Sequence, residues 1–269
     1  MTSTLANKSK AEITEHRLNI LYKALPVISI LLLISVWITA AAQDAAFPSP
    51  ADVWARVIRL FTNPIRHMSP IGHVLVSLRR IGTALLFNWT FGIAFGILLG
   101  WNQKANAFFG PIFNGFRSIP PLAWIPLITL WFGIGEFPVV LIVIFGSLAS
   151  IVVNVQAGLS TVDKMYLDVG AVFNATPRQR LFKIAIPSAL DSIFAGVRTS
   201  TSAAWMVVLA AEMLGANAGV GFLIYRGMGS IDMPLVLTGM LMIGIVGAML
   251  AILTQLAERL ICPWTRRKR

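Results

Sequence analysis

The sequence predicts an all-α, polytopic membrane protein with six transmembrane helices, and three observations carry this prediction. Of the 269 residues, 57% are hydrophobic and only 12% are charged. The mean hydropathy of +0.76 indicates more apolar surface than one water-soluble core of this size can enclose. In addition, apolar runs of about 20 residues, the length needed to cross roughly 30 Å of hydrocarbon, recur along the chain. A lipid bilayer is therefore the expected solvent.

Six runs are candidate membrane-spanning helices. Four of them contain no Asp, Glu, Lys or Arg, namely residues 24–42, 81–101, 137–158 and 233–257. Of the other two, residues 108–134 carry Arg117 and four prolines. Residues 193–214 carry Arg198 and Glu212. The first run is too long for the apolar part of a typical signal peptide, so we expect it to be retained as a span.

The distribution of Lys and Arg predicts that both termini are cytoplasmic, because these residues accumulate in the cytoplasmic loops of membrane proteins. In this orientation the cytoplasmic segments hold fourteen basic residues: Lys8, Lys10, Arg17, Lys23, Lys104, Lys164, Arg178, Arg180, Lys183, Arg259, Arg266, Arg267, Lys268 and Arg269. The outer segments hold six: Arg56, Arg59, Arg66, Arg79, Arg80 and Arg226. The net charge of +11 then reflects loops beside anionic lipid. No basic run is interleaved with aromatic residues, so nucleic acid is not an expected partner.

The predicted organisation is a cytoplasmic segment (1–23), a transmembrane domain (24–258) and a basic cytoplasmic tail (259–269). Within the domain, residues 49–61 read as an amphipathic helix on the outer interface, because five apolar residues share one helical face: Val53, Trp54, Val57, Ile58 and Phe61. Gly92, Gly96 and Gly100 recur every four residues, which permits close helix contact. We expect that contact inside one subunit rather than at a dimer seam.

The cytoplasmic loop of residues 160–190 contains a regular pattern, "DVGAVFNATPRQRLFKIAIPSAL". It predicts two short helices with a corner between them. The first has an apolar face at Met165, Asp168, Val169, Val172 and Phe173, and the second at Leu181, Ile184 and Ala185. Asn174, Ala175 and Thr176 form the corner, where Thr176 is a candidate N-cap and Pro177 a suitable first helical residue. A left-handed backbone is expected at Asn174, because asparagine is among the few residues other than glycine that tolerate it. Pro187 is expected to end the second helix. The loop is either a docking surface for another protein or a hairpin that only joins two spans.

Charged and hydroxyl side chains inside the apolar runs are candidates for a transport path. Arg117 precedes the helix-breaking Pro120 and Pro121, and broken helices with polar residues are typical of transport sites. Alternatively, Arg117 faces the cytoplasmic mouth. Glu212 is either part of the path or gate, or an anchor at the outer interface. The hydroxyls of Ser118, Thr199 and Ser202 complete this set, although such hydroxyls also bond to their own helix backbone.

Several chemistries have no motif in this sequence. There is no Gly-x-x-x-x-Gly-Lys-Ser/Thr phosphate loop and no paired-carboxylate motif. His16, His67 and His73 do not cluster with Cys262 and read as polar loop residues. We therefore expect no catalytic residue, no metal and no cofactor. Any ATP must be hydrolysed by a partner, and the chain itself is not expected to be an enzyme.

The loop pattern resembles the cytoplasmic signature of ATP-binding-cassette importer permeases, which is Glu-Ala-Ala, three residues, Gly, nine residues, then Ile-x-Leu-Pro. Asp168 stands at the Glu position, Gly170 at the second Ala, Asn174 at the Gly and Pro187 at the Pro. Three further stretches look like permeases of the nitrate, sulfonate, taurine and bicarbonate importer family: "RSIPPLAWIPLITLWFGIGE", "GVRTSTSAAWMVVLAAEMLGANAGVGFLI" and "FPSPADVW". The resemblance covers residues 47–258.

This resemblance implies the type I importer permease fold in the bacterial inner membrane. The implied partners are two cytoplasmic ATP-binding subunits, a second permease copy or close homologue, and an extracytoplasmic binding protein. The implied function is an alternating-access path for a small anion such as a sulfonate, taurine or nitrate. The residues expected to couple to the ATPase are Asp168, Gly170, Phe173, Asn174, Ala175, Thr176, Leu181 and Pro187. A passive channel or ion-coupled carrier, which needs no ATPase, is the alternative.

Overall fold

The structure is a computed structural model that describes residues 24–44 and 47–261. These residues divide into two compact units, the first ending at Ile58 and the second beginning at Arg59. The first unit contains helix α1 (Ala24–Gln43) and the start of helix α2 (Pro50–Thr62). In this unit the indole Nε1 of Trp37 donates a hydrogen bond to the carbonyl oxygen of Pro48, 3.0 Å away.

The second unit is built from helices of very different length. They are α3 (Pro70–Phe87), α4 (Ile93–Trp101), α5 (Gln103–Ser118), α6 (Ile125–Phe132), α7 (Glu136–Ser160), α8 (Lys164–Val172), α9 (Pro177–Arg180), α10 (Ile186–Ser188), α11 (Leu190–Gly215), α12 (Val220–Gly229) and α13 (Met233–Ile261). A π-helical turn, Asn88–Gly92, joins α3 to α4, so that Pro70–Trp101 is one 32-residue helical run. A second π-helical turn, Leu181–Ala185, joins α9 to α10.

Within the described residues, five helical runs are long and apolar enough to cross a membrane: Ala24–Gln43, Pro70–Trp101, Glu136–Ser160, Leu190–Gly215 and Met233–Ile261. The predicted span at 108–134 is not one long helix, so the count of six transmembrane helices is not matched at this position, whereas the break at its prolines was predicted from the sequence. There α5 ends at Ser118, and Ile119 is extended at φ −80° and ψ 121°. The cause is local, because Pro120 and Pro121 have no N–H to continue the helical hydrogen bonds.

Helix α2 confirms the predicted amphipathic helix but not its single apolar face. Val53 and Leu60, seven residues apart, are buried. Trp54, Ile58 and Phe61 are exposed and form a second stripe along the helix. Helical spacing places these two sets on neighbouring faces, so the apolar residues meet two different environments.

Helix α7 is the centre of the second unit and packs against α11, α4 and α3. Two apolar cores lie along it. The first surrounds the beginning of α7 and includes Ile81, Val139, Ile142, Val143, Ala204 and Val208. The second surrounds its end and includes Leu99, Phe113, Ile151, Val152, Val155 and Ile193. The relative positions of α4, α7 and α11 are therefore determined by packing at both ends of the bundle.

A polar layer lies near the π-helical turn between these cores. The side-chain amide of Asn88, which is fully buried, donates to the carbonyl of Ile144 (3.1 Å) and to Oγ of Ser147 (2.8 Å). The indole N–H of Trp89 donates to Oγ of Ser200 at 3.3 Å. The layer thus links the middle of the Pro70–Trp101 run to the middle of α7 and of α11.

The glycine stripe of this run packs against α7. A methyl group on Gly96 would lie 2.7 Å from Cβ of Val155, and one on Gly100 would lie 2.9 Å from the carbonyl oxygen of Gln156. Gly92 faces Ile151 in the same way. The prediction that this stripe packs inside one subunit is confirmed, because the small residues let the two helix backbones approach closely.

An ion-pair cluster around the buried Arg80 joins the end of the bundle where α7 begins and α11 ends, with Glu212 fully buried and the Glu136 side chain 53% exposed. Its members are Ser77, Arg80, Glu136 and Glu212, and we call it the Arg80 cluster. Nη1 of Arg80 lies 2.8 Å from Oε1 of Glu212, and Nε of Arg80 donates to Oε2 of Glu136 at 3.0 Å. A second contact joins Nη2 of Arg80 to Oε1 of Glu136. Oγ of Ser77 donates to Oε2 of Glu212 at 2.9 Å. One guanidinium therefore binds carboxylates from two other helices.

The loop between α11 and α12 and the first residues of α12 close over the Arg80 cluster. Backbone N–H groups of Gly221 and Val220 donate to Oε2 of Glu212 and to Oγ of Ser77, each at 3.0 Å. Gly219 has φ +117°, and any Cβ there would overlap the Glu212 carboxyl group. Only glycine combines this left-handed backbone with so close an approach. The carboxylate of Glu212 is thus enclosed on every side by donors of the protein itself.

Three predictions about the residues at and near the Arg80 cluster are wrong. The second span begins at Pro70 rather than at residue 81, so Arg79 and Arg80 belong to a helix and not to an outer loop. His73 is also helical and only 1% exposed, rather than a polar loop residue. The sequence did not predict that this part of α3 is helical and buried, because the spans were identified by their lack of charge. A buried charge is nevertheless tolerated in a span when a counter-charge and hydrogen bonds surround it.

We predict that Arg80 and its neighbour Arg79 differ sharply in their contribution to stability. Arg80→Met should lower the free energy of unfolding by about 3–5 kcal/mol, because it leaves a buried carboxylate without its cation. Arg79 also pairs with Glu136, at 3.1 Å, but its side chain is 69% exposed. Arg79→Met should therefore cost less than about 1 kcal/mol. Chemical unfolding in mixed micelles measures both values, and equal losses would contradict the structural assignment of Arg80.

Candidate transport site and coupling surface

A cavity of about 490 Å³ opens between α5, α7 and α11. The residues that line it are Arg117, Ser118, Ala149, Ser150, Val153, Asn154 and Thr199. Three residues predicted from the sequence, Arg117, Ser118 and Thr199, thus meet at one place. They come from two helices that are far apart in the chain, and α7 forms the wall between them.

Arg117 occupies the last turn of α5, immediately before the proline break. The ring of the preceding Phe116 packs edge-on against Phe145, with ring centroids 5.3 Å apart. Phe145 is the tenth of the 25 residues of α7, so the end of α5 lies level with the middle of that span. Both predicted positions of Arg117 stay predictions, because Phe116 contacts the middle of α7 whereas the α7 residues that line the cavity with Arg117 lie in the second half of that helix.

Sequence reasoning missed the polar residues that α7 contributes to the cavity. The side-chain amide of Asn154 donates to the carbonyl of Ser150 at 2.7 Å and to Oγ1 of Thr199 at 3.3 Å. Thr199 in turn donates to the carbonyl of Ala195 at 3.0 Å. The Thr199 hydroxyl therefore lines the cavity and also bonds to the backbone of its own helix. The sequence does contain a signal, because Ser150 and Asn154 lie four positions apart in an otherwise apolar run. Both residues are neutral, so they are not found when only charged residues are considered.

The electrostatic character of the cavity follows from its lining. Arg117 is the charged residue of the lining, and Ser118, Ser150, Asn154 and Thr199 are neutral polar residues. The hydroxyls of Ser118 and Thr199 donate to carbonyls of their own helices, and the Asn154 amide donates to Ser150 and Thr199, so the guanidinium is the main donor left for a bound molecule. The described residues that line the cavity include no Asp or Glu. A cavity whose described lining has one fixed positive charge and no carboxylate favours a small anion over a cation.

Ser202 and Glu212 do not line this cavity. Ser202 lines a separate cavity of about 190 Å³ between α11 and α13, beside Trp205 and Thr254. Glu212 is fully buried in the Arg80 cluster, thirteen residues and roughly 20 Å along α11 from Thr199. Glu212 does not reach the outer interface as the predicted anchor would, because it is fully buried and paired with Arg80.

The loop between α7 and α11 presents an exposed apolar surface. It is formed by α8 and the residue that follows it, where Val172 is 79% exposed and Phe173 is 82% exposed. Met165, Tyr166 and Val169 extend the same surface. Asp168 is exposed beside them. We call these residues, 165–173, the coupling surface. Large apolar side chains grouped in this way are typical of a docking site.

The corner after α8 has the predicted backbone. Asn174 has φ 55°, in the left-handed region. The next N–H, that of Ala175, donates to the carbonyl of Gly170 at 2.9 Å. Thr176 then caps α9, with Oγ1 accepting from the N–H of Gln179 at 3.3 Å and the Gln179 side chain accepting from the Thr176 N–H at 2.8 Å. The left-handed corner and the N-cap are both confirmed.

The second short helix has the predicted apolar face, and the structure shows what this face packs against. Leu181 is half-buried and packs against the second apolar core, and Ala185 is fully buried, so this face lies on the protein. The exposed aromatic side chain is Phe182 instead. Pro187 lies one residue before the end of the helix at Ser188, so the predicted end is confirmed. The π-helical turn before it, closed by the N–H of Ile186 on the carbonyl of Leu181, gives the proline ring room that a regular α-helical turn lacks.

Together, the long apolar helices, the broken third span, the polar cavity and the exposed corner define a polytopic transport subunit. Residues 92–267 match the family described as binding-protein-dependent transport system inner membrane component. The chain belongs to this family.

Relatives and solved structures agree with this assignment. A probable ABC transporter permease protein of Brucella abortus (strain 2308) is 30% identical over 231 residues, which are 86% of this chain and 91% of that protein. The taurine transport system permease protein of Escherichia coli (strain K12) is 29% identical over 239 residues, 87% of this chain and 86% of that protein. A chain in a structure of inward-facing conformations of the MetNI methionine ABC transporter shares the fold, with a TM-score of 0.63 and 22% identity over 71% of this chain and 95% of that chain.

The chain is therefore a multi-pass permease subunit of an ABC importer, a class that works with ATP-binding and substrate-binding partners. The family predicted from the sequence is confirmed. The alternative of a passive channel or an ion-coupled carrier is not supported.

The left-handed corner yields a prediction. Asn174→Gly should leave transport nearly unchanged, because glycine adopts this backbone freely. Asn174→Val should cost about 1–2 kcal/mol of backbone strain and turn α9 away from its position. The measurement is the ratio of ATP-binding subunit to permease after purification of the complex. Equal ratios for the Gly and Val variants would show that the corner does not position the docking helices.

Proposed function

We propose that this permease forms, with a second copy or close homologue, an alternating-access path for a small anion such as a sulfonate, taurine or nitrate. An extracytoplasmic binding protein delivers the substrate, and two cytoplasmic ATP-binding subunits hydrolyse the ATP. The observation that carries the proposal is the cavity that joins Arg117 to Ser118, Asn154 and Thr199.

The chemistry of this cavity supports an oxyanion. The guanidinium of Arg117 offers planar, paired donors that match the geometry of sulfonate, nitrate or carboxylate oxygens. The volume of about 490 Å³ leaves room for such an anion together with water. The taurine permease of Escherichia coli, similar over most of this chain, supports a substrate of this class.

The proposed topology has both termini in the cytoplasm, with residues 1–23 and 259–269 as cytoplasmic segments around the transmembrane domain of residues 24–258. Because Arg79 and Arg80 lie in α3, the outer segments retain four basic residues, Arg56, Arg59, Arg66 and Arg226. The excess of basic residues on the cytoplasmic side is therefore larger than in the sequence-based count. The exposed stripe of Trp54, Ile58 and Phe61 on α2 meets lipid at the outer interface.

Coupling to ATP hydrolysis is assigned to the loop of residues 160–190. Its apolar coupling surface fits a groove on an ATP-binding subunit. Gly170 of α8 packs against Ile184, since a Cβ there would lie 2.7 Å from Cδ1 of that residue. Helix α11 begins at Leu190, and Thr199 of the cavity lies nine residues, or about 14 Å, further along it. A displacement of the docked helices is thus transmitted to the cavity by one continuous helix.

We predict that Phe173→Asp impairs coupling to ATP hydrolysis, whereas Leu181→Asp impairs stability. Phe173→Asp should leave folding intact, because the side chain is 82% exposed, and should abolish ATP hydrolysis stimulated by the loaded binding protein. Leu181→Asp should instead destabilise the permease, because it places a carboxylate against an apolar core. Leu260→Asp, also at an 82% exposed position, is the matched control and should retain stimulation. Normal stimulation in the Phe173 variant would contradict the assigned docking role.

We predict that Arg117 is needed for uptake rather than for assembly. In proteoliposomes with the complete complex, Arg117→Gln should lower uptake of taurine, an alkanesulfonate or nitrate, whichever the unmodified complex accumulates, by about tenfold or more. Arg117→Lys should retain part of the uptake, because lysine keeps the charge but loses the planar fork. Lys104→Gln, at the other end of α5, is the control for charge loss. Unchanged uptake by the Gln variant would remove Arg117 from the path.

A further inference from the structure

A strained turn lies between α2 and α3. The N–H of Met68 donates to the carbonyl of Ile65 at 3.1 Å and closes the turn. Both central residues have positive φ, 53° for Arg66 and 57° for His67. Such a pair is characteristic of a type I′ turn, where asparagine and glycine are strongly favoured because longer side chains are strained. Strain of this kind persists where the surroundings enforce it, and it concentrates at functional sites.

Contacts on both sides hold this turn in place. The Nε2 atom of His73 lies 3.4 Å from the carbonyl oxygen of Ile65. The guanidinium carbon of Arg66 lies 5.6 Å from the ring centroid of Phe222, at the beginning of α12, within range of a cation–π interaction. Nδ1 of His73 accepts a hydrogen bond from the N–H of Gly219 at 3.1 Å, beside the Arg80 cluster. The turn is thus attached to α3 and, through His73 and Phe222, to the segment that closes over the Arg80 cluster.

The turn presents two side chains to the surroundings. Arg66 and His67 are both exposed. In the proposed topology this turn lies on the outer side, where Arg226 of α12 and Arg79 of α3 are also exposed. A positively charged tip on a fixed backbone is therefore offered outward.

We propose that the tip formed by Arg66 and His67 is a docking point for an acidic surface of the extracytoplasmic binding protein. The proposal rests on the importer function and topology given above. An anionic membrane surface attracts positive charge without any fixed backbone geometry, because its headgroups are mobile. A folded protein partner gains from preorganised groups, since less ordering is needed when the complex forms. A strained and anchored tip fits the second kind of partner.

The test uses the complete importer in nanodiscs, titrated with its substrate-loaded binding protein while ATP hydrolysis is followed. Arg66→Glu should raise the binding-protein concentration for half-maximal stimulation by about tenfold, because a like charge then faces the acidic partner. Basal hydrolysis should not change. Arg66→Lys should stay within about threefold of the parent, because the charge remains. The Arg66→Gly/His67→Gly double variant relieves the strain while removing both side chains, and it should also weaken stimulation at an unchanged or higher melting temperature.

Arg226→Glu is the matched control for the same charge change on the same side. A loss equal to that of Arg66→Glu would mean that overall surface charge attracts the partner, and would overturn the proposal. An unchanged half-maximal concentration in a stably folded Arg66→Glu variant would also overturn it. So would a defect of that variant that disappears when the nanodiscs contain no anionic lipid, since the tip would then bind headgroups. If the unmodified complex itself shows no stimulation by any binding protein, the importer proposal fails, which is a distinct result.

Discussion

The bond network of Arg80 is the interaction on which the rest of the structure depends. Lipid is as apolar as a leucine side chain, so burial alone does not drive membrane helices together, and packing and polar contacts must do so. Arg80 joins α3 to the first residue of α7 and to the last turns of α11. The loop before α12 and the first residues of α12 close over the same carboxylate. Since α7 and α11 form two walls of the Arg117 cavity, a contact roughly 20 Å away determines how far apart those walls stand at one end.

What the sequence predicted correctly depends on short-range physics. Apolar runs located four of the spans, and the stereochemistry of single residues predicted the left-handed Asn174 and the capping Thr176. The Arg80 cluster was not predictable in this way, because Arg80 and Glu212 are 132 positions apart and each resembles an isolated charge in the sequence. Because charged residues were excluded from the predicted spans, the second span was predicted to begin at residue 81, after Arg79 and Arg80, instead of at Pro70.

The candidate site shows the same division. Arg117 was recognisable because a charge in an apolar run is conspicuous, whereas Asn154, which is neutral, was not. Leu181 illustrates a second limit of prediction from the sequence. Helical periodicity identifies an apolar face but does not say whether the protein itself or a partner covers that face. Leu181 and Phe173 look equivalent in the sequence, and only the fold buries one and exposes the other.

The polar layer at Asn88 has a consequence for how the bundle can move. Its amide finds both partners only when the Pro70–Trp101 run and α7 are aligned within a fraction of one residue. Sliding either helix by one turn, about 5.4 Å, would separate the buried amide from both of its acceptors, whereas Ser147 would keep the bond that it donates to the carbonyl of Val143. Apolar surfaces alone have no such preference, because one methyl group replaces another at little cost. Asn88 thus fixes the register of the Pro70–Trp101 run against α7. We therefore expect these two helices to tilt together as a unit rather than to slide past each other.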